Sequence, residues 1–424
     1  MSRIAIIGAG PIGLEAALLA RQLGHDVHVF EKGCVAENIL DWGHVRLFSP
    51  FGMNSSEWGR GAIAKAFGSN ALPHDDELLT GREFAERYLI PLSQLPELTG
   101  RIQSRTEVVS IGRRDLWKSD AIGNHDRSLR PLRLLIQHHP QAANGNFEAV
   151  DEANVVLDCS GTYPHHNWLG PGGTPSIGEQ AHLNNSHYRL PEICPEQFSN
   201  RRTLVVGDGF SAATAVVALS ELAKTSPRTQ VVWVTRRASS EDSSKGPLPR
   251  IPNDPLPERA RLTELANSLA LKSLQHNSGA VEWLPGRLIL IVNNAAHGDG
   301  FQVLTLEQKH PFCETGVVED ARQNLFDVDR IIANVGYRPD RSIYEELHVH
   351  ECYATQGPIK LAAKLLGETS SDCLAQTSHG CDVLKNPEPN FFILGSKSYG
   401  RNSNFLLKVG IEQVREVLQT LNPT

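Results

Sequence analysis

Residues 3–17, RIAIIGAGPIGLEAA, and residues 202–215, RTLVVGDGFSAATA, are built alike. Each passes from a β-branched apolar run through a glycine turn into small, helix-forming residues, a change of period from strand to helix. In the first, Ile4 to Ile7 reads as a buried strand, Pro11 to Leu23 as a helix and HDVHVFEK (25–32) as the next strand, a βαβ unit. Gly8 permits the tight turn, Gly10 lets backbone approach a pyrophosphate, and Gly13 lets helix pack on strand. The helix N-terminus then offers N–H groups and partial positive charge to the anion. Glu31 follows Gly13 by 18 positions, at the end of the second strand. A carboxylate there accepts from ribose hydroxyls and repels a 2′-phosphate, so FAD or NAD fits and NADP does not.

The second unit repeats the device with different ends. RTLVVG is its strand, Phe210 to Ala223 its helix and TQVVWVTRR (229–237) its next strand. Gly207 and Gly209 are its glycines, Ser211 lies at the helix start, and Ala213 is read as the alanine variant of the third position. Its second strand ends in Arg236 and Arg237. Paired guanidinium groups grip a 2′-phosphate through charge-assisted bonds, which points to NADPH, with NADH as the alternative. Lys245 and Arg250 in the adjoining proline-rich loop, residues 238–260, are further phosphate candidates. Asp208, inside the turn, is expected to point away from a pyrophosphate.

The remaining chain frames these units. The 424 residues carry a net charge of −7 from interspersed acids and bases, which gives no reason to expect nucleic acid or an anionic membrane as partner. Apart from the glycine-punctuated start, read as a folded βαβ unit rather than a leader, no run approaches the roughly 18 apolar residues of a membrane span. The seven cysteines are scattered and never spaced as CxxC, the pattern of free thiols in a reducing cytoplasm. The adjacent pairs His138/His139 and His165/His166 face opposite sides of an extended chain and make poor chelates, so no metal is expected. Residues 33–105 are irregular and aromatic, a covering insertion in which Thr80 and Glu83 predict a capped helix. TEVVSIGRR (106–114), RPLRLLIQHH (130–139) and ANVVLDCSGTY (153–163) predict strands, and 164–200 a crossing linker. FDVDRIIANVGYRPD (326–340) predicts a strand and glycine turn, and residues 390–418 a strand, a glycine-rich turn and a terminal helix beginning near Ser403. Strands alternating with helices predict an α/β fold with doubly wound, mainly parallel sheets.

The order of GAGPIG with Glu31, TEVVSI, DCSGTY, GDGFSA with Arg236 and Arg237, IIANVGYRPD and a terminal strand, turn and helix resembles the two-dinucleotide-binding-domain flavoproteins. The resemblance implies two Rossmann-like domains. A discontinuous FAD domain (1–165 and 331–424) would be joined through a linker (166–200) to an inserted NAD(P)H domain (201–330). It implies that Gly8, Gly10, Gly13, Glu31 and Lys32 bind the FAD pyrophosphate and adenosine, that Val108 meets the adenine through its backbone, and that Ser160, Gly161 and Gly395 line the cofactor. The disulfide-reductase branch carries a cysteine pair beside the flavin, absent here. Where many members have Gly-Asp, this chain has Gly395, Ser396 and Lys397, a departure toward the flavin-containing and N-hydroxylating monooxygenases. SIGEQAHLNNS keeps Gly178 and His182 of the monooxygenase linker pattern but has Ser176 and Ser186 at its aromatic positions.

On this basis the expected activity is an FAD-dependent, NADPH-oxidising monooxygenase acting on a small organic substrate with O2 through a flavin hydroperoxide. The alternatives are a reductase donating to a quinone, an electron-transfer protein or another organic acceptor, and a non-catalytic redox sensor. Two dinucleotides on one chain serve hydride transfer between cofactors, with the protein supplying orientation. Candidate substrate contacts are Arg46, Ser49, His187, Tyr188, Lys397, Tyr399 and Arg401, and the terminal helix is expected to aim its N-terminus at the flavin. A cytoplasmic location is expected, and homo-oligomer formation is left open.

Overall fold

The computed structural model describes residues 1–139, 145–237, 246–276, 279–296, 298–307, 323–367 and 378–421. Its strands are β1 (Arg3–Ile7), β2 (Asp26–Phe30), β3 (Ile102–Gln103), β4 (Thr106–Arg113), β5 (Leu132–His138), β6 (Phe147–Ala153), β7 (Val155–Asp158), β8 (Arg202–Val206), β9 (Gln230–Val234), β10 (Val281–Leu284), β11 (Arg287–Asn294), β12 (Phe301–Glu307), β13 (Gln323–Val328), β14 (Arg330–Ala333) and β15 (Phe391–Ile393). Five helices matter for the sites: α1 (Pro11–Gln22), α2 (Glu57–Phe67), α3 (Phe210–Thr225), α4 (Pro257–His276) and α5 (Leu407–Leu421). The chain divides into two compact units, residues 1–165 with 337–424, and residues 166–336.

In the first unit the parallel sheet runs β15-β7-β1-β2-β3. Strand alternation sends Ile4 and Ile6 into one core with α1 and α5, and Ala5 and Ile7 into another with the antiparallel sheet β4-β5-β6. Each fully buried aliphatic side chain contributes roughly 1.5–3 kcal/mol, so both faces of β1 hold the strand that precedes the first turn. Helix α5 packs tightly on α1: a Cβ at Gly410 would lie 2.6 Å from Ile12 Cδ1. The capping box expected at Thr80 and Glu83 is present. It opens a helix interrupted by a π turn at Ala85–Leu89, which contains Tyr88.

In the second unit the parallel sheet runs β10-β9-β8-β14, beside the antiparallel sheet β11-β12-β13. Three expectations change here. The strand read within 326–340 is two strands. β13 pairs antiparallel with β12, and β14 pairs parallel with β8, the break falling at Asp329, whose carboxylate accepts the Arg202 N–H at 2.7 Å. Because β14 belongs to this sheet, the chain leaves the unit after Gly336 rather than at 331. Residues 166–200, expected as a linker, also pack in this unit: Ile177 forms a parallel bridge with Ile291, and buried Glu179 accepts from the N–H groups of Leu169 and Ser176. Of the proline-rich loop, residues 238–245, including Lys245, lie outside the described residues, as do Cys313 and Cys373. Its later part is fastened to α4. Buried Asn267 brackets the backbone of Leu248 from both sides, and Arg259 pairs with Asp254 at 2.7 Å.

Candidate functional site

The first turn is shaped by close approaches that exclude side chains. Gly8 has φ +97°, donates its N–H to Phe30 O at 2.8 Å, and would place a Cβ 2.9 Å from Cys159 O. A Cβ at Gly13 would lie 1.9 Å from Gly8 O, so the helix start and the turn touch backbone to backbone. At Gly10 a Cβ would meet nothing within 4 Å, and among the described residues no side chain caps the N-terminus of α1. Helix N-termini leave N–H groups without intrahelical partners, and this one opens onto space suited to an anion.

Glu31 completes this turn. Its Oε2 accepts the Ala9 N–H at 2.6 Å and its Oε1 the Gly33 N–H at 2.9 Å. Burial raises its carboxyl above the usual range, partly offset by those two N–H donors. An ionised carboxylate offers about four lone-pair directions, so two remain for a ribose diol. The glycine turn, the uncapped helix and this oriented acid together fit the adenosine and pyrophosphate of FAD. Lys32, one residue on, reaches outward to Glu107 at 2.6 Å and is largely exposed. Val108 is buried in β4 beside a register shift.

The ends of β7 and β15 meet beside this turn. Gly161 and Gly395 both have φ +73°, and a Cβ at Gly395 would lie 3.1 Å from Ile12 Cγ1. The Gly395 N–H donates to the buried Gln413 side chain at 2.9 Å. Lys397, expected to contact substrate, is buried instead. Its Nζ donates to Asp158 Oδ2 at 2.6 Å and to Ser160 Oγ at 3.0 Å, while Asp158 Oδ1 accepts the Ser160 N–H and hydroxyl. A buried cation needs such a partner, and the pair fixes the Ser160–Gly161 turn.

The other polar candidates are similarly engaged. Ser49 is buried and donates to Asn54 Oδ1, and Tyr399 is buried edge-on to Phe405. Neither is a surface group awaiting a ligand. Arg46 is exposed and donates to Leu78 O, and Arg401 donates from Nε to Gln356 Oε1. His187 lies in the second unit, where Asn184 engages its Nδ1 and Phe301 meets its ring edge-on. Burial lowers its pKa. Tyr188 is in the same unit and donates to Glu179. The terminal helix begins at Leu407 rather than Ser403, because Asn402 Oδ1 holds the Asn404 N–H in a turn ahead of it.

The second turn has the same plan and different fittings. Gly207 has φ +137°, and its Cβ would fall 2.2 Å from Asn334 O and 3.4 Å from Ala212 Cβ. Ala212 therefore occupies the place of Gly13, correcting the expectation of Ala213, which is the next buried residue and donates its N–H to Gly209 O. The Gly207 carbonyl accepts from Trp233 Nε1 at 2.8 Å. Gly209 opens onto free space, Ser211 is exposed, and among the described residues no side chain caps α3. This set likewise fits a dinucleotide pyrophosphate. Asp208 turns to the strand end: its Oδ2 accepts from Arg237 Nε at 2.9 Å. Among the described residues Arg236 makes no ion pair, and Arg250 is turned to Glu264.

Among the buried acids that sequence reasoning missed, one lies on the first nucleotide helix. Glu15, on α1, is 1 % exposed and accepts from the Ser56 N–H, the Ser56 hydroxyl and the Tyr88 hydroxyl at 3.0, 2.6 and 2.6 Å. Burial raises its carboxyl above the usual range despite those donors. A charged residue on the apolar face of the nucleotide helix was the available signal. Its partners come from the covering insertion, 41 and 73 residues away, which no local pattern reveals.

Residues 5–117 match the family model described as pyridine nucleotide-disulphide oxidoreductase. No curated protein sequence matches significantly. Among solved structures, the chain is similar to bacillithiol disulfide reductase from Bacillus cereus, with TM-score 0.64, 17% identity, and 99% of this chain and 98% of that chain covered. It is also similar to ornithine hydroxylase from Pseudomonas aeruginosa, with TM-score 0.61, 14% identity and coverage of 99% and 98%. A third is T. acidophilum thioredoxin reductase, with TM-score 0.57, 14% identity and coverage of 99% and 97%. Two Rossmann-like units, each with a glycine turn ahead of its first helix, are the fold that this chain shares with these structures.

Proposed function

We propose that this chain is an FAD-dependent NADPH oxidoreductase, with FAD held at Gly8–Gly13 and Glu31, and the nicotinamide nucleotide at Gly207–Ala212 with Arg236 and Arg237. The observation that carries it is the duplicated uncapped glycine turn with opposite charge at the two strand ends. When both groups are bound, they supply hydride transfer from nicotinamide to flavin. The chain's own part is placement. The N-termini of α1 and α3 meet the two pyrophosphates, Glu31 orients one ribose, and the Lys397–Asp158 pair fixes the Ser160–Gly161 turn beside the first site.

The finer reading is a monooxygenase acting on a small organic substrate, with oxygen as the electron acceptor. It is supported by the two cysteines nearest the first turn. Burial pushes the Cys159 thiol far up, and desolvation together with the charges of Glu37 and Glu31 raises the exposed Cys34. Disulfide exchange needs a thiolate, and both sites move away from one. The ornithine hydroxylase likeness agrees with this reading, and the bacillithiol disulfide reductase likeness supports a reductase as the second.

The test is NADPH oxidation by the holoprotein with and without oxygen. The monooxygenase reading expects oxygen-dependent turnover that a panel of small amines accelerates, with a hydroxylated product. Oxygen-independent turnover driven by disulfides or quinones would replace it with the reductase.

A further inference from the structure

We propose that Asp208 is a selectivity residue of the second nucleotide site, an internal carboxylate that competes with a 2′-phosphate for Arg237. The inference rests on the assignment of a nicotinamide nucleotide to Gly207–Ala212. Asp208 stands between the two glycines of that turn, where the first unit has Ala9, a residue with no functional side chain. Its Oδ2 takes Arg237 Nε at 2.9 Å. The Arg237 side chain is 76% exposed and that of Asp208 25%, so solvent screens the pair and an incoming anion exchanges with it readily.

The backbone beneath the pair is fixed. Thr235 Oγ1 donates to Arg237 O at 3.1 Å and accepts from the buried Trp283 Nε1 at 3.1 Å. Only the Arg237 side chain needs to move. A 2′-phosphate that recruits Arg237 releases Asp208, whose charge then opposes the phosphate. A 2′-hydroxyl instead finds in Asp208 an acceptor. Arg236 is left to favour the phosphate, so the two arginines confer less preference for NADPH than their number implies. Asp208 keeps the site open to both nucleotides.

The test is calorimetric binding of 2′,5′-ADP and of ADP to the full-length holoprotein, so that it does not depend on turnover. Asp208→Asn, with Asp208→Ala as a second variant, should tighten 2′,5′-ADP about 5-fold, the size of one exposed charge pair, and change ADP by less than about 2-fold. The gain should shrink to the direct repulsion between Asp208 and the phosphate when Arg237→Ala is combined with either variant, and the difference isolates the pair. An unchanged ratio of the two affinities, or a gain undiminished without Arg237, overturns the proposal. Wild-type protein that binds neither probe removes the underlying site assignment, and this inference with it.

Discussion

The register of the two parallel sheets allows the nucleotide turns to be compared residue for residue. Ile7 pairs with Phe30 in the first unit and Val206 with Val234 in the second. Glu31 therefore corresponds to Thr235, Lys32 to Arg236, Gly33 to Arg237, Ala9 to Asp208 and Gly13 to Ala212. In the first unit the strand end supplies the carboxylate and the turn supplies backbone N–H. In the second the turn supplies the carboxylate and the strand end the guanidinium. The same backbone device is thus given opposite charge by exchanging which segment carries the acid. The glycines make a dinucleotide site, and the residues flanking them choose the nucleotide.

The largest expected contrast lies at the third fingerprint position. Gly13→Ala forces a Cβ against Gly8 O, a backbone atom that cannot swing aside, and should cost about 3 kcal/mol or more, with loss of bound FAD. Ala212→Gly should cost only about 1 kcal/mol, the helix-propensity difference. Denaturant unfolding and FAD content measure both. If Gly13→Ala retains FAD and stability, the close approach in the first turn has no role.

Next are the strand ends. Glu31→Ala leaves the Ala9 and Gly33 N–H groups without their acceptor, a cost of about 1–3 kcal/mol, equivalent to roughly 5- to 150-fold in FAD affinity. Arg236→Ala with Arg237→Ala should lower the NADPH-to-NADH affinity ratio about 10-fold and leave FAD content alone. An unchanged ratio would show that the strand-end arginines do not read the 2′ position.

The smallest effects concern how each nucleotide helix is anchored. Glu15 on α1 corresponds to Thr214 on α3, which bonds its own helix at Phe210 O. Tyr88→Phe should cost about 0.5–1.5 kcal/mol by withdrawing one of three donors from a buried carboxylate. The pH dependence has a definite sign. Burial raises the folded-state pKa of Glu15 above its ordinary 4.5, so the folded state binds the proton more tightly. Its contribution to stability is then fully present below 4.5 and declines as pH rises through the raised folded value. Glu15→Gln should flatten that decline in unfolding measured across the window, and an identical profile would remove Glu15 as its source.

Much of this contrast was legible in local sequence. Period and punctuation revealed both βαβ units, Glu31 and the strand-end arginines, because each signal lies within about 30 residues of its turn. What the sequence concealed depends on distant partners. Asp208 reads as an awkward anion until Arg237 is seen beside it, and Lys397 as a substrate contact until Asp158, 239 residues earlier, neutralises it. The split between β13 and β14 is hidden because FDVDRIIA (326–333) carries no glycine or proline to mark a break, whereas its halves pair with different sheets. Ala212 was within reach, since counting the fingerprint from Gly207 lands on it.

The central claim is that one chain carries two unlike nucleotide sites serving a single hydride transfer. Anaerobic titration of the purified FAD-loaded protein with NADPH tests it most directly. The visible absorbance of the oxidised flavin should bleach with one equivalent of NADPH, and more slowly in the Arg236→Ala, Arg237→Ala protein. A chain that takes up no FAD, or whose flavin stays oxidised in excess NADPH and NADH, would contradict it.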